Sequence, residues 1–255
     1  MTPTTNADLA GLYATGKLPW DQTLDLYAVH LDSAHSIMAA VKGDFWTLGS
    51  RLFKKPGKNS PWDWELETVL QTGTVLSGVK ELDLLAFGGQ ATLGYTFGDC
   101  TWAPRVSVNY SYASGDDDRT DGDQHRLQPV YPSTHNMNGQ LDAIGWANLH
   151  DPYLEFTVTP AKDWKVGLQA HTFFRAETGD FVYRANGSTP VRTPAGYHGD
   201  RFSIGTELDL YVQANLTKNL ELLTGVGALF AGDYLDDTGT DDTAKTAYLQ
   251  LTYKY

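Results

Sequence analysis

At 255 residues the chain suits one large β domain or two ordinary ones, and its 14 Tyr, 7 Trp and 25 Gly favour the single β domain. A formal net charge of −12 argues against nucleic acid as a partner. No run approaches the roughly 20 apolar residues of a membrane helix, and a mildly negative mean hydropathy fits a β-barrel, in which only alternate strand residues meet lipid.

Period-two alternation of apolar and polar residues marks the strands in chain order. Ala10–Lys17 is a short first run, and Gln22–Asp32 follows with Leu24, Leu26 and Ala28 against Asp25 and Tyr27. The connector Ser33–Asp44, with His35 and Met38, has no clear period. Phe45–Lys54 sets Trp46, Leu48 and Leu52 against Thr47, Gly49 and Arg51, before a turn at Lys55-Pro56-Gly57-Lys58-Asn59-Ser60. Trp62–Gly73, Leu82–Phe97 and Trp102–Ser114 come next, with Cys100 in the turn between the last two. After a long polar loop to Trp146 come Leu154–Thr159 and Trp164–Ala176. A second long loop, Thr178–Asp200, leads to the clearest segment. There Phe202, Ile204, Thr206, Leu208, Leu210 and Val212 alternate with Ser203, Gly205, Glu207, Asp209 and Tyr211. Leu220–Gly232 and Ala244–Tyr255 complete eleven strands, the last ending on an aromatic residue.

Connections alternate short and long from Lys55 onward, as periplasmic turns and outer loops do in a transmembrane β-barrel. Trp62, Trp64, Trp102, Trp164, Tyr253 and Tyr255 lie beside the short turns, where an interfacial girdle belongs. The fold expected is all-β, an antiparallel transmembrane β-barrel in a bacterial outer membrane, with lipids as its surroundings. Met1–Asp8 has neither the basic nor the apolar part of a signal peptide. The expectation is therefore an N-terminally truncated single domain over residues 1–255.

Several stretches carry a family resemblance. They are Leu48-Gly49-Ser50-Arg51, Trp64-Glu65-Leu66-Glu67 with Gln71-Thr72-Gly73, Leu93-Gly94-Tyr95-Thr96-Phe97, and Pro104-Arg105. Tyr112 to Asp117 follows, then Val130-Tyr131-Pro132 with His135, Gly145-Trp146-Ala147-Asn148-Leu149, and Gly205-Thr206-Glu207-Leu208-Asp209. In this order they resemble the alginate-export family of outer-membrane porins. The resemblance implies an antiparallel barrel of about eighteen strands that passes an acidic polysaccharide, with periplasmic export components as further partners. Eleven strands would be its C-terminal portion. Single-chain bacterial barrels have even strand numbers, so the chain is expected to form an open sheet. Its edges are expected at Ala244–Tyr255 and at Gln22–Asp32 or Ala10–Lys17. The alternative is ten strands closing into a narrow pore.

The polar parity carries Arg51, Arg105, Lys165, Arg175 and Arg201, together with Glu65, Glu67, Glu155, Glu207 and Asp209. A polyuronate bears a carboxylate on every sugar, and an Arg fork binds carboxylates bidentately. These residues therefore line the expected lumen, for passive diffusion; interstrand ion pairs that stiffen the wall are the competing role. The family's positively lined pathway falls on Arg51, Arg105, Arg175 and Arg201. Alternatives for the whole are a porin for small anionic solutes or oligosaccharides, and a non-conducting structural or adhesive barrel.

Asp116, Asp117 and Asp118, near Asp121 and Asp123, are candidate Ca²⁺ ligands in a loop without EF-hand spacing, or simply solvated acids. No other cofactor is expected. His30, His35, His125, His135, His150, His171 and His198 lack the i, i+4 spacing of a helical zinc site. There is no Gly-x-Ser-x-Gly element, so no enzyme is expected.

Overall fold

A computed structural model of the chain describes residues 7–33, 42–57, 60–130, 138–187, 189–192 and 199–255. The expectations that involve His35, Met38, Lys58, Asn59, Tyr131, Pro132, His135 and His198 lie outside these residues.

All eleven expected strands form. They are β1 (Ala7–Leu18), β2 (Gln22–Ser33), β3 (Gly43–Lys54), β4 (Trp62–Ser77), β5 (Lys80–Thr96) and β6 (Arg105–Ala113), then, after the short β7 (Asp123–Gln124), β8 (Leu149–Ala161), β9 (Trp164–Phe174), β10 (Ser203–Asn215), β11 (Leu220–Ala231) and β12 (Ala244–Tyr253). They pair antiparallel in the order β1-β2-β3-β4-β5-β6-β8-β9-β10-β11-β12, while β7 pairs parallel with β5. The sheet is open: among the described residues β1 and β12 end it and do not pair with each other. No described helix is long and apolar enough to cross a membrane.

The faces of this sheet are inverted relative to a water-soluble protein. On β10, Leu208 and Leu210 are nearly half exposed while Glu207 and Asp209 are buried. Register carries the inversion across the strands. Leu93, Val108, Leu154, Ala170, Leu208 and Ala228 are successive cross-strand partners from β5 to β11. Four of these, Leu93, Val108, Leu154 and Leu208, are large and exposed. An apolar face this extensive calls for lipid.

Aromatic residues border the apolar band at both ends. Beside the short turns, Trp62 meets Tyr95 edge-on at 4.9 Å, and Tyr95 meets Phe97 at 4.8 Å. Toward the long loops, Phe87, Tyr112, His150, Phe202 and Phe174 follow one another with ring centroids 4.9–6.0 Å apart. The sequence pattern pointed to the first border and not to the second. Phe87 and Tyr95 lie eight residues apart on β5, about 26 Å along a strand. This is the scale of the roughly 25 Å apolar band of an outer-membrane barrel.

The long loops fold onto the opposite, polar face. Leu127, Ile144 and Val182 from the loops, and Tyr234 and Leu235 from the helix α1 (Asp233–Thr238), pack with Phe45, Leu84, Leu149 and Phe173 of the strands. Each such aliphatic side chain contributes about 1.5–3 kcal/mol by burial, which anchors the loops. Polar bonds fix their position. Gln71 on β4 donates to the Gln128 carbonyl and accepts from the Gln128 amide, both at 2.8 Å.

Glycines on this face let side chains pass over a strand. Tyr27 on β2 lies across Gly49 on β3, where a Cβ would overlap its ring, and its hydroxyl donates to Glu67 on β4 at 2.7 Å. Tyr211 on β10 likewise lies across Gly167 on β9 and donates to Glu155 on β8 at 2.7 Å. Arg105 on β6 passes over Gly94 on β5 to Asp63 on β4.

The sequence reading differs at element ends. β6 begins at Arg105 and not Trp102, because Trp102 and Ala103 take left-handed φ values of 67° and 42° in the turn. β4 and β5 extend until residues 78–79 alone join them, so this connection is tight where a longer one was expected. β9 stops at Phe174, before Arg175, and β10 starts at Ser203, after Arg201.

Candidate channel lining

Two charge clusters sit on the polar face. In the first, Asp25, Arg51 and Glu67 are direct partners across β2, β3 and β4. Arg51 grips Glu65 with Nε and Nη2 at 2.8 and 2.6 Å, and its guanidinium lies 4.6 Å from the Phe53 ring centroid. Its side chain remains 36% exposed.

The second cluster is drier. Arg105 gives Nε and Nη2 to Asp63 at 2.9 and 2.7 Å, and Nη1 to Glu155 at 3.0 Å and Ser107 at 3.1 Å. Arg105, Asp63 and Glu155 are 20%, 11% and 14% exposed at their side chains. Glu155 also accepts from Gln169 at 3.1 Å and from Tyr211. The sequence reading missed Asp63 and Tyr211 as members. Asp63 shares the parity of Glu65 and Glu67, which was the available signal; the role of Tyr211 depends on cross-strand register. Lys165 lies over the Tyr211 ring at 5.2 Å and forms no ion pair among the described residues.

Glu207 and Asp209 do not join these clusters. Both are buried beneath the loop after β6, where Glu207 accepts the Leu141 amide at 2.9 Å and Asp209 the Gln140 amide at 3.3 Å. Gly139, at φ 87°, lets the loop backbone pass against the Glu207 carboxylate. The two acids therefore bind loop backbone. His171, beside them on β9, is buried and paired with Asp151 at 3.0 Å.

Arg175 departs from its expected place in the lumen. It is 1% exposed and donates to the carbonyls of Thr178, Asp180, Gly199 and Arg201, with its guanidinium 4.6 Å from the Tyr234 ring centroid. It lies one residue beyond the end of β9, where strand parity no longer fixes direction. Arg201 is an exposed loop residue and pairs with Asp237 at 2.5 Å.

The acidic loop also rearranges its expected trio. Asp118 accepts from the Thr120 amide and hydroxyl at 3.0 and 2.6 Å, closing a turn that holds its carboxyl below the usual range. Asp116, Asp117 and His125 instead bring one ligand atom each within 4.8 Å of one another. Burial first, and then the Asp180 and Asp121 charges, push Asp116 up to about 6. The hydrogen bond from His125 lowers Asp117, and the same bond raises His125.

The family model for alginate export matches residues 4–248. Comparison with curated proteins gives no match. Among solved structures, the chain is similar to one described as "NanC porin structure in rhombohedral crystal form", at 11% identity and a TM-score of 0.44, covering 98% of this chain and 95% of that one. With a family match over nearly its whole length, on a sheet that is apolar on one face and charged on the other, the chain belongs to the alginate export family, a channel protein of the bacterial outer membrane.

Proposed function

We propose that the chain carries alginate or a similar acidic polysaccharide across the outer membrane by passive diffusion along its polar face. Arg51 and Lys165 are the cations that meet the polymer; Glu65 keeps Arg51 extended, while Arg105, held by Asp63 and Glu155, stiffens the wall behind them. The observation that carries this reading is Arg51. Its planar fork is held in place by Glu65, yet more than a third of its side chain is open. A uronate carboxylate arriving there exchanges with Glu65. An exposed pair of this kind is worth only about 0–1 kcal/mol, so the exchange holds each sugar weakly. Many weak contacts suit a polymer that must also leave.

The inward-folded loop supports a second reading. Residues 138–141 dock on the polar face over Glu207 and Asp209, which narrows the space for a polymer. A porin for small anionic solutes or acidic oligosaccharides needs less room. Deleting the gene and assaying secreted uronate separates the two: loss of secretion is expected for export, and unchanged secretion rejects it. In planar bilayers the full chain should conduct anions in preference to cations. Absence of any conductance would favour a structural or adhesive barrel.

A further inference from the structure

We infer that Asp116, Asp117 and His125 form a divalent-cation site at the long-loop end of the sheet, suited to a borderline ion such as Zn²⁺. Their three ligand atoms lie within 4.8 Å of one another, the spread expected of ligands around one ion.

An acidic cluster alone would not carry this assignment, because loop acids are commonly solvated. Asp116 is the independent observation. It is 2% exposed, and its Oδ1 has no hydrogen-bond partner. A buried carboxylate oxygen left unmatched is costly, because it has lost its water without gaining a donor. A bound cation supplies the missing partner. The neighbouring buried Asp180 accepts the Asp116 amide at 3.1 Å and is already paired with Arg126 at 3.9 Å, which leaves the Asp116 Oδ1 as the group in need of a partner.

The donor set selects the ion. Ca²⁺ prefers six to eight oxygens, whereas an imidazole with two carboxylates suits Zn²⁺ and neighbouring first-row ions. His125 takes the place that Asp118 would have held in an all-oxygen site. Its Nδ1 already lies 2.9 Å from Asp117. Asp117 and His125 are 66% and 39% exposed at their side chains, so the ion's outer side faces water.

The site also fits the local architecture. Asp116 and Asp117 follow β6, while His125 follows β7, which pairs with β5. One ion would tie the two ends of the 116–125 loop together. It would also offset negative charge at the channel mouth, where an acidic polymer would otherwise meet like charge.

The test is isothermal titration of the full chain, refolded in detergent, with Zn²⁺. One tight equivalent is expected, weakened by at least about tenfold in His125→Gln and in Asp116→Asn, with Asp118→Asn unaffected. Protease cutting between residues 116 and 125 should slow on adding Zn²⁺ to the wild type and not to His125→Gln. His125 is partly exposed, so its replacement leaves the fold intact even if Asp116→Asn does not. Equal Zn²⁺ affinity in wild type and His125→Gln overturns the site. Displacement of Zn²⁺ by equimolar Ca²⁺ overturns the choice of ion.

Discussion

Replacing Arg105 with Gln tests how dry the charged face is. Arg105 spends three nitrogens on Asp63 and Glu155, whose side chains are only 11% and 14% exposed. Removing one partner of a fully buried ion pair costs about 3–5 kcal/mol, because the other charge is stranded. The residual exposure lets some water in, so the expected cost is about 2–4 kcal/mol. Arg51→Gln removes a fork of the same geometry at a site where the Arg is 36% and the Glu 29% exposed. Its expected cost is only about 0–1 kcal/mol. Adding Asp63→Asn to Arg105→Gln should recover roughly half of the loss, since it removes one of two stranded charges. Urea unfolding in detergent, followed by tryptophan fluorescence, measures all three variants. Should Arg105→Gln and Arg51→Gln cost the same within about 1 kcal/mol, the argument from burial fails and the Arg105 cluster is open to water.

Changing Arg51 and Lys165 together to Glu should shift the reversal potential in a salt gradient toward cations; an unaltered potential would make both residues structural. Arg175→Lys should leave the reversal potential unchanged but quicken protease cutting in the 175–202 loop. An ammonium has three donors against the five of a guanidinium, and each carbonyl left buried and unmatched costs about 1–3 kcal/mol. Gly167→Val should destabilise by about 1–3 kcal/mol through overpacking against the Tyr211 ring. In that background Tyr211→Phe should cost little more, because the bond to Glu155 is already lost; full additivity in urea midpoints would show that Gly167 and Tyr211 are independent.

The strands were legible because each has one face against lipid. That constraint writes itself as strict alternation, and Leu208 and Leu210 against Glu207 and Asp209 show it plainly. Parity also placed Arg51, Glu65, Arg105 and Glu155, which lie inside strands, together on the polar face. It failed at Arg175, where the strand has ended and loop packing sets the direction of the side chain. Glu207 and Asp209 were given the correct face and the wrong surroundings, since nothing in alternation reveals that residues 138–141 return to cover them. Asp118 stands apart from the Asp116–Asp117 cluster, and His125 joins it, for a similar reason. Hydrogen bonds within the loop decide which acid turns inward, and charge counting along the chain does not contain them.

The glycines beneath Tyr27, Tyr211 and Arg105 also bear on how the sheet reaches a unique alignment. A slip of one residue between strands would turn every side chain to the wrong face. The smallest slip that preserves the faces is two. For β9 against β10, that slip would bring Lys165 or Gln169 opposite Tyr211 in place of Gly167; for β2 against β3, it would bring Thr47 or Arg51 opposite Tyr27 in place of Gly49. Each newcomer has a side chain where the ring must lie, and the hydroxyl would miss its carboxylate two strands away. The missing Cβ thus acts as a notch in a lock. Hydrophobic patterning alone accepts every second alignment, and the notch admits one.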